Sequence, residues 1–378
     1  MNSTVTPYLR RFNRTSDSGF EEFHFKLSLY LGWTTVGCCV FGLLGNTFSC
    51  VIFLSPRLRN PINMILTGLC IIDDVLILTA IPLFLPPMLH INYPWLTQLR
   101  TYCFVYLYPI CMSARTASVW TFVLITVERF IAVCFPFRQN TVYTTQRAWF
   151  AVCFIMVASF LYNFVRFFEY TYDYDANGRP RPDFKLRLDA GYQLYYFTLM
   201  YIISHFLVPF LFLIVMNSYI IQTIRSMQKQ RRALSRQDLR EHNTTYMMVM
   251  LIFIFVITNS LPYILNIVEA VDESIFKDRS VAGYKLIQIL RVSSNALVLL
   301  NSSTNSIIYF AFSQRYRHRF LEIVRCKSPE KNNTHLILEE RQNLVKGRNP
   351  SFRKAIRRAG YTPVSQVVGV QVTCLSRS

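Results

Sequence analysis

The sequence contains seven apolar segments, each long enough to cross a bilayer as a helix. A hydrocarbon layer of about 30 Å requires about 20 residues at about 1.5 Å per residue. Hydrophobic residues make up 52% of the chain and charged residues only 16%, which is more apolar surface than soluble domains could bury. We therefore predict an all-α membrane protein, a seven-transmembrane helix bundle. The predicted spans are Leu27–Leu54, Ile62–Leu89, Tyr102–Cys134, Trp149–Tyr170, Tyr192–Ile224, Thr245–Val271 and Tyr284–Phe312.

These spans divide the chain into four regions. Residues 1–26 are polar and lack the short apolar region and cleavage site of a signal peptide, so the first span must direct insertion. The bundle occupies residues 27–312. Residues 313–326 are predicted to form a short amphipathic eighth helix, and residues 327–378 a polar basic tail that is disordered.

The eighth helix is predicted from its periodicity. Phe312, Tyr316, Phe320 and Ile323 recur at helical spacing among arginines, which is typical of a helix lying in the membrane interface and contacting lipid. Cys326 lies at the end of this segment and is a predicted palmitoylation site, the alternative being a free cysteine.

The charged loops predict the orientation. The formal net charge is +19, and the basic residues lie between and after apolar segments, which favours a cytoplasmic membrane face over nucleic acid as their partner. The loop between spans five and six and the start of the tail are basic, whereas the opposite loops are mixed or acidic. We therefore expect a multi-pass plasma-membrane protein with an extracellular N-terminus and a cytoplasmic C-terminus. The sequons at Asn2 and Asn13 would then be glycosylation sites of a glycoprotein.

Four short motifs occur in a fixed order on four different spans. They are Gly45-Asn46 in span one, Asn63 to Asp73 in span two, Glu128-Arg129 at the end of span three, and Asn305-Ser-Ile-Ile-Tyr309 in span seven. Together they resemble the rhodopsin-like (class A) G-protein-coupled receptors. Further features, Ser118-Val-Trp120, Asn259-Ser-Leu-Pro262 and Asn301-Ser-Ser-Thr-Asn305, are similar to those of invertebrate FMRFamide-type neuropeptide receptors.

Asp73 is a functional candidate on physical grounds alone. A carboxylate inside a membrane helix costs several kcal/mol (about 3) unless it is paired, solvated or protonated. Its expected neighbours, Asn46, Ser118, Asn301 and Asn305, all carry oxygen. The family resemblance implies that this group holds an allosteric sodium ion in the inactive state, and no other cofactor is predicted. The alternative is a hydrogen-bonded network that only packs the helices.

Glu128 and Arg129 lie at the predicted cytosolic end of span three. Adjacent opposite charges can pair at rest and separate when helices move. The resemblance implies that Arg129 contacts a heterotrimeric G protein and that Tyr309 is its partner in the active state. An ordinary arginine at a helix end is the alternative. Serines and threonines of the tail would take phosphate and recruit arrestin-like regulators.

The ligand is predicted by exclusion. Cys111 stands where the resemblance requires an acid in amine receptors, and Leu299 where it requires a lysine in retinal proteins. Acids beside aromatic rings in the outer loops suit a peptide carrying arginine and phenylalanine. Two arginines predicted inside the bundle need a partner as well, which the ligand or an acid such as Glu169 could supply. The ligand-binding candidates are Arg115, Glu169, Asp173, Asp175, Glu269, Asp272 and Arg291.

The predicted function is therefore that of a cell-surface G-protein-coupled receptor for an FMRFamide-like neuropeptide. A small-molecule chemoreceptor of the same fold remains the alternative, and a transporter is disfavoured because no internal repeat occurs. The sequence contains no recognisable set of catalytic residues, so an enzyme is not predicted. Cys103 lies near the outer end of span three, but no cysteine occurs between Phe154 and Arg325, so the disulfide customary in the family cannot form. Another interaction must hold the second outer loop.

Overall fold

The computed structural model describes residues 6–91, 93–135, 137, 144–174, 180–183, 186, 189, 191–230, 236–271 and 281–325. The chain divides into two compact units, Met1–Phe320 and Leu321–Ser378. The first contains the helical bundle. Of the second, only residues 321–325 are described, and they complete the last turn of a helix.

Eight α-helices and one hairpin of two strands make up the described part of the chain. Single 3₁₀ segments follow α1 (Pro56–Leu58) and α4 (Phe164–Phe168), and two π-helical segments (Tyr192–Met200 and Ile202–Leu207) precede α5. The elements are α1 Thr6–Phe53, α2 Pro61–Met88, α3 Pro94–Cys134, α4 Thr145–Asn163, β1 Thr171–Tyr174, β2 Pro180–Asp183, α5 Val208–Gln230, α6 Arg236–Val271, α7 Val281–Phe312 and α8 Gln314–Val324.

Local sequence explains where these helices begin. Asn60 precedes α2, and its side chain accepts a hydrogen bond from the Asn63 backbone N–H at 2.9 Å. Thr144 caps α4 in the same way, accepting from the backbone N–H of Arg147 at 3.3 Å. Proline opens both α2 and α3, at the position where its missing N–H costs nothing.

The helices have the lengths that a membrane protein requires. Five helical segments are long and apolar enough to cross a bilayer individually, and α7 with α8 forms a sixth such unit that bends by 99° between them. The apolar part of α6 is shorter, Val249–Leu265. Large apolar side chains on the outside of the bundle are exposed, as a lipid-facing surface requires, for example Phe150 (73%) and Leu161 (66%).

The bundle interior contains many polar side chains and is closely packed. Gly68 of α2 lies against Val152 of α4 so tightly that a β-carbon at Gly68 would come within 2.5 Å of a Val152 methyl group. Small residues at such crossings allow membrane helices to approach each other. By contrast, a β-carbon at Gly37 of α1 would meet no atom within 4 Å.

Two features at one end of the bundle were not predicted from the sequence. The strands β1 and β2 pair antiparallel, with Thr171 opposite Asp183 and Tyr174 opposite Pro180. We call the end that carries this hairpin the hairpin end. The fifth span begins with π-helical hydrogen bonding instead of a regular α-helix, a conformation that often occurs at functional sites.

Helix α8 begins directly after α7 and packs on the opposite end of the bundle. The Tyr316 side chain is buried, and its hydroxyl forms a hydrogen bond of 2.8 Å with Ser49 of α1. Phe320 packs against Phe48 and Phe310, with ring centroids 6.3 and 5.4 Å apart. Tyr316 and Phe320 of the apolar stripe predicted for the eighth helix therefore contact the bundle.

Candidate functional site

Asp73 is completely buried in the middle of the bundle. The Ser118 hydroxyl of α3 donates to its Oδ1 at 3.2 Å, and Asn305 Nδ2 of α7 donates to its Oδ2 at 2.7 Å. The carboxylate therefore joins three helices. Of the predicted neighbours, Ser118 and Asn305 contact it directly through hydrogen bonds.

The other two predicted neighbours contribute oxygens that have no donor among the described residues. Asn46 uses its Nδ2 to donate to the Ser302 carbonyl at 3.1 Å, which leaves its buried Oδ1 without a hydrogen bond there. The buried Oδ1 of Asn301 is in the same situation. Oxygen acceptors without donors are the kind of ligand that a small hard cation takes.

Asp74 is an additional acid that the sequence reasoning missed. It is only partly buried, and its Oδ2 accepts a hydrogen bond of 3.4 Å from Thr47 of α1. Its Oδ1 is buried and has no hydrogen bond to the described residues. Consecutive helical residues point about 100° apart, so Asp73 faces α3 and α7 while Asp74 faces α1. The signal was present in the sequence, as a second carboxylate in an apolar span.

At the α8 end of α3, Glu128 and Arg129 form a bidentate ion pair. Arg129 Nε and Nη2 donate to the two carboxylate oxygens of Glu128 at 2.5 and 2.7 Å. The Glu128 side chain is 1% exposed and the Arg129 side chain 12%. The pairing that the sequence predicted for the resting state is thus present.

Tyr309 lies apart from that ion pair. Its ring packs edge-on against Phe53 at 5.1 Å and against Tyr316 at 5.9 Å, between α1 and α8. The buried hydroxyl has no hydrogen bond among the described residues. The contact with Arg129 that was predicted for the active state is not made in this conformation.

A second buried ion pair lies at the hairpin end, between Arg166 and Glu169 after α4. Both side chains are 0% exposed, and Arg166 Nη1 donates to Glu169 Oε2 at 3.1 Å. The Tyr192 hydroxyl, at the start of the π-helical segment, donates to the same carboxylate oxygen at 3.2 Å. The expectation that Glu169 lies on the exposed outer surface was wrong, because Arg166 neutralises it inside the protein.

Aromatic rings surround the Arg166 guanidinium. The rings of Tyr196, Phe197 and Tyr108 lie 5.2, 5.6 and 5.9 Å from it, within the range of cation–π attraction. Arg166 Nε also donates to Asn163 Oδ1 at 3.0 Å. Sequence reasoning missed Arg166 because nothing in a single sequence distinguishes a buried arginine at a span end from one that reaches out to the interface.

A chain of hydrogen bonds continues from Arg166 into the bundle. Asn163 Nδ2 donates to the Thr116 hydroxyl at 2.8 Å, and that hydroxyl also forms a 2.7 Å hydrogen bond with His205 Nε2. His205 is fully buried, and Ser204 forms a 2.8 Å hydrogen bond with its Nδ1. This network connects α3, α4 and the second π-helical segment.

The hairpin contacts α3 through tyrosines. Tyr172 packs edge-on against Tyr102 at 5.2 Å. A hydrogen bond with Tyr106 raises the pKa of Tyr172, and one with Tyr102 raises the pKa of Tyr174. Cys103, between these α3 tyrosines, is a buried free thiol. Phenol contacts thus connect the hairpin to α3, at the place where the sequence cannot supply a disulfide.

Arg115 is inside the bundle, as predicted, with Nε and Nη2 buried and without hydrogen-bond partners in the described part of the chain. Arg291, in contrast, is exposed, so the prediction that it lies inside the bundle was wrong. It lies between the buried Ile287 and Ser294 on one helical stripe, and its long side chain extends beyond that packed layer.

The other predicted ligand-binding and modification residues are less informative. Asp173 is exposed in β1, and its Oδ1 accepts from the Tyr174 backbone N–H at 2.8 Å. Glu269 lies in α6 and Asn13 in α1, but their side chains are outside the described ones. Entirely outside the described residues are Asn2, Asp175, Asp272, Cys326 and the tail 327–378.

These features define a class of protein: a multi-pass helical membrane protein with a polar cluster around a buried acid and an arginine ion pair at the α8 end. The profile of the 7 transmembrane receptor (rhodopsin family) matches residues 45–309. The chain therefore belongs to the rhodopsin family of seven-transmembrane receptors. Members of this family are receptors and not enzymes.

Individual relatives narrow the comparison. The FMRFamide peptide receptor frpr-18 of Caenorhabditis elegans is 38% identical over 291 residues, which cover 75% of this chain and 66% of the relative. The FMRFamide receptor of Drosophila melanogaster is 35% identical over 300 residues, covering 75% of this chain and 52% of the relative. The sex peptide receptor of the same fly is 25% identical over 339 residues, covering 82% of this chain and 75% of the relative. The chain thus spans between half and two thirds of the length of the first two relatives.

Proposed function

We propose that this protein is a neuropeptide receptor of the plasma membrane, which binds an extracellular FMRFamide-like peptide and signals through a heterotrimeric G protein. The observation that carries the proposal is the similarity to two FMRFamide receptors across three quarters of the chain. The family profile, matched over residues 45–309, includes Asp73, Arg129 and Tyr309. In this proposal the hairpin end faces outward and binds the peptide, and the α8 end faces the cytosol.

The ion pair between Glu128 and Arg129 supports a resting receptor. While both guanidinium edges that Arg129 uses are occupied by Glu128, they cannot bind a G protein. A peptide that binds better to the arrangement in which this pair is broken would shift the population toward it, by the amount of its differential affinity.

The sodium ion is part of the proposal. Asp73 would supply the negative charge, and Ser118, Asn305, Asn46 and Asn301 oxygens would complete the set. The unbonded amide oxygens of the two asparagines fit such an ion better than a purely structural network, in which each would need a donor. A bound cation would favour the arrangement that brings α2, α3 and α7 together.

The experiment that tests the ligand is a screen in cells that co-express a promiscuous G protein. Amidated peptides ending in Arg-Phe-amide should raise the second messenger, and the same peptides should have no effect on cells expressing Arg129→Ala at equal surface density. If no such peptide gives a response while labelling confirms surface expression, the proposed ligand is wrong.

The sodium site is tested separately by radioligand binding in membranes. Replacing choline with sodium should weaken agonist binding to the wild-type receptor, because the ion favours the resting arrangement. Asp73→Asn removes the charge and keeps the shape, so this variant should lose the sodium effect while it still binds antagonist. An unchanged sodium effect in Asp73→Asn would contradict the site.

Glycosylation at Asn2 and Asn13, palmitoylation at Cys326 and arrestin binding to the tail remain predictions of the sequence. Mobility shifts after glycosidase or hydroxylamine treatment would check the first two modifications directly. Each would also report the side of the membrane on which its segment lies, because N-glycans are added on the lumenal side and palmitate on the cytosolic side.

A further inference from the structure

Arg115 is a partly buried cation with no ion pair to a described carboxylate. Its main electrostatic neighbours are Tyr201, Tyr263, Cys111 and Tyr108, all neutral in their usual protonation states, and the buried His205 interacts with it as well. The guanidinium lies 6.0 Å from the centroid of the Tyr201 ring. Nε and Nη2 are buried and donate no hydrogen bond within the described part of the chain. A guanidinium in this situation bears a large desolvation cost.

Tyr263 of α6 shows the same deficiency within the same cluster. The side chain is 0% exposed, and its hydroxyl has no hydrogen-bond partner among the described residues. Its ring packs against Tyr201, Phe206 and Phe210, with centroids 6.1, 5.2 and 5.7 Å away. Two strong donors on two different helices therefore lack acceptors in one aromatic environment.

The neighbouring polar network makes this deficiency informative. Thr116, the residue after Arg115, is hydrogen-bonded to Asn163 and to His205, although all three of these residues are buried. Thr116, Asn163 and His205 thus have partners within the bundle, whereas the neighbouring Arg115 and Tyr263 belong to the buried polar groups that have none among the described residues. Unsatisfied buried donors that persist in a protein call for an external acceptor or a functional explanation.

The chemistry of the acceptor follows from the donors. A guanidinium and a phenol hydroxyl both donate to a carbonyl or carboxylate oxygen, and the surrounding rings suit an aromatic side chain. The positive charge repels the N-terminal ammonium group of a peptide as well as an arginine side chain. The end of a peptide that enters this cluster is therefore its C-terminus.

We propose that Arg115 and Tyr263 bind the C-terminal carbonyl oxygen of the peptide, and that its last side chain packs among Tyr201, Phe206 and Phe210. This inference rests on the proposed function, which supplies an amidated peptide ending in phenylalanine. The carboxamide oxygen accepts from Arg115 and Tyr263, and the carboxamide NH₂ has phenol oxygens available as acceptors. Arg115 is then satisfied only in the bound receptor.

The test measures the potency of two peptides on the wild-type receptor and on its variants, as in a double-mutant cycle. The parent peptide ends in Phe-amide, and its analogue ends in phenethylamide, which keeps the ring and replaces the carboxamide with hydrogen. On the wild type the analogue should be about 100-fold less potent. Arg115→Gln should lower the potency of the parent by about 100-fold and leave the analogue unchanged. Tyr263→Phe should lower the potency of the parent peptide about tenfold.

Arg100→Gln is the matched control, because Arg100 lies over the Phe104 ring at the hairpin end of the same helix, about 22 Å along it from Arg115. It should preserve the ratio of the two potencies. A peptide with a free C-terminal carboxylate distinguishes an acid ligand from an amidated one. If this peptide is more potent than the amide on the wild type, but not on Arg115→Gln, the contact with Arg115 is supported and the amidated ligand is refuted.

The melting temperature of the ligand-free receptor distinguishes a ligand-binding role of Arg115 from a structural one, because the two roles predict opposite changes. Removal of an unsatisfied buried charge should leave Arg115→Gln at least as stable as the wild type, whereas loss of a structural contact would lower its melting temperature. The inference would be overturned if the potency losses from Arg115→Gln and from the phenethylamide analogue multiplied. A lower melting temperature of Arg115→Gln would overturn it as well. A wild-type receptor silent to all amidated peptides would instead overturn the proposed function on which it rests.

Discussion

The buried ion pair at the hairpin end should respond asymmetrically to loss of its two partners. Arg166→Met leaves the Glu169 carboxylate enclosed, with the 3.2 Å hydrogen bond from Tyr192 as a remaining contact. Breaking a buried pair by removal of one partner costs about 3–5 kcal/mol, because the other charge stays desolvated. We expect Arg166→Met to fall within this range.

Glu169→Leu should be milder, because the guanidinium keeps more of its environment. Asn163 still accepts from Nε at 3.0 Å, and three aromatic rings remain within 5.9 Å of the guanidinium carbon. Cation–π attraction contributes about 2 kcal/mol at a desolvated site. Subtracting it from the range for a broken pair gives an expected cost of about 1–3 kcal/mol for Glu169→Leu.

The double variant Arg166→Met/Glu169→Leu removes both charges and replaces them with side chains of similar bulk. Such replacements are often close to neutral. Asn163 and Tyr192 lose one partner each, which costs about 1 kcal/mol apiece. The double variant should therefore be more stable than Arg166→Met alone, and its cost should be clearly below the sum of the two single costs.

The measurement is denaturation of the purified receptor in detergent, followed by thiol accessibility of the buried Cys103 next to the hairpin. The four proteins of the cycle are compared at one temperature, so that only differences are used. Equal costs of the two single variants would refute the role of the rings. A double variant that costs the sum of both singles would refute the ion pair itself.

Two further predictions concern packing and coupling. Gly68→Val should abolish surface expression or lower the melting temperature strongly, because a β-carbon there would overlap Val152. Gly37→Val should be tolerated, because Gly37 faces lipid. Equal behaviour of the two variants would contradict the close approach of α2 and α4. Glu128→Gln should raise basal signalling and Arg129→Ala should abolish agonist-stimulated signalling with peptide binding retained, since the first releases the arginine and the second removes it. Second-messenger assays at matched surface density check both, and unchanged basal activity of the first would count against the ion pair as a resting-state restraint.

Much of the fold could be predicted because a membrane imposes a single strong requirement on the sequence. Each span must be apolar over about 20 residues, so hydropathy alone locates seven of them. The same requirement makes Asp73 conspicuous, since a charge in such a segment needs an explanation. Its contacts with Ser118 and Asn305 then followed from helical depth.

The hairpin end could not be predicted in the same way. Glu169 and Arg166 are three residues apart near the end of a span, where either an exposed pair or a buried one satisfies the sequence. Which of the two occurs depends on Tyr192 and Tyr196, which come from another span. Arg291 shows the opposite failure, because its stripe is buried and its own side chain is not.

The lack of the disulfide customary in the family changes how the hairpin end can behave. A disulfide would fix α3 to the loop whatever the other helices did. Here Glu169 accepts from Arg166 after α4 and from Tyr192 at the start of the π-helical segment, so the loop is held by contacts that involve the fifth span. Tyr201 lies in that span between His205 and Arg115. A peptide that repositions Tyr201 therefore acts on the same span that holds Glu169, and ligand binding and loop position become one equilibrium.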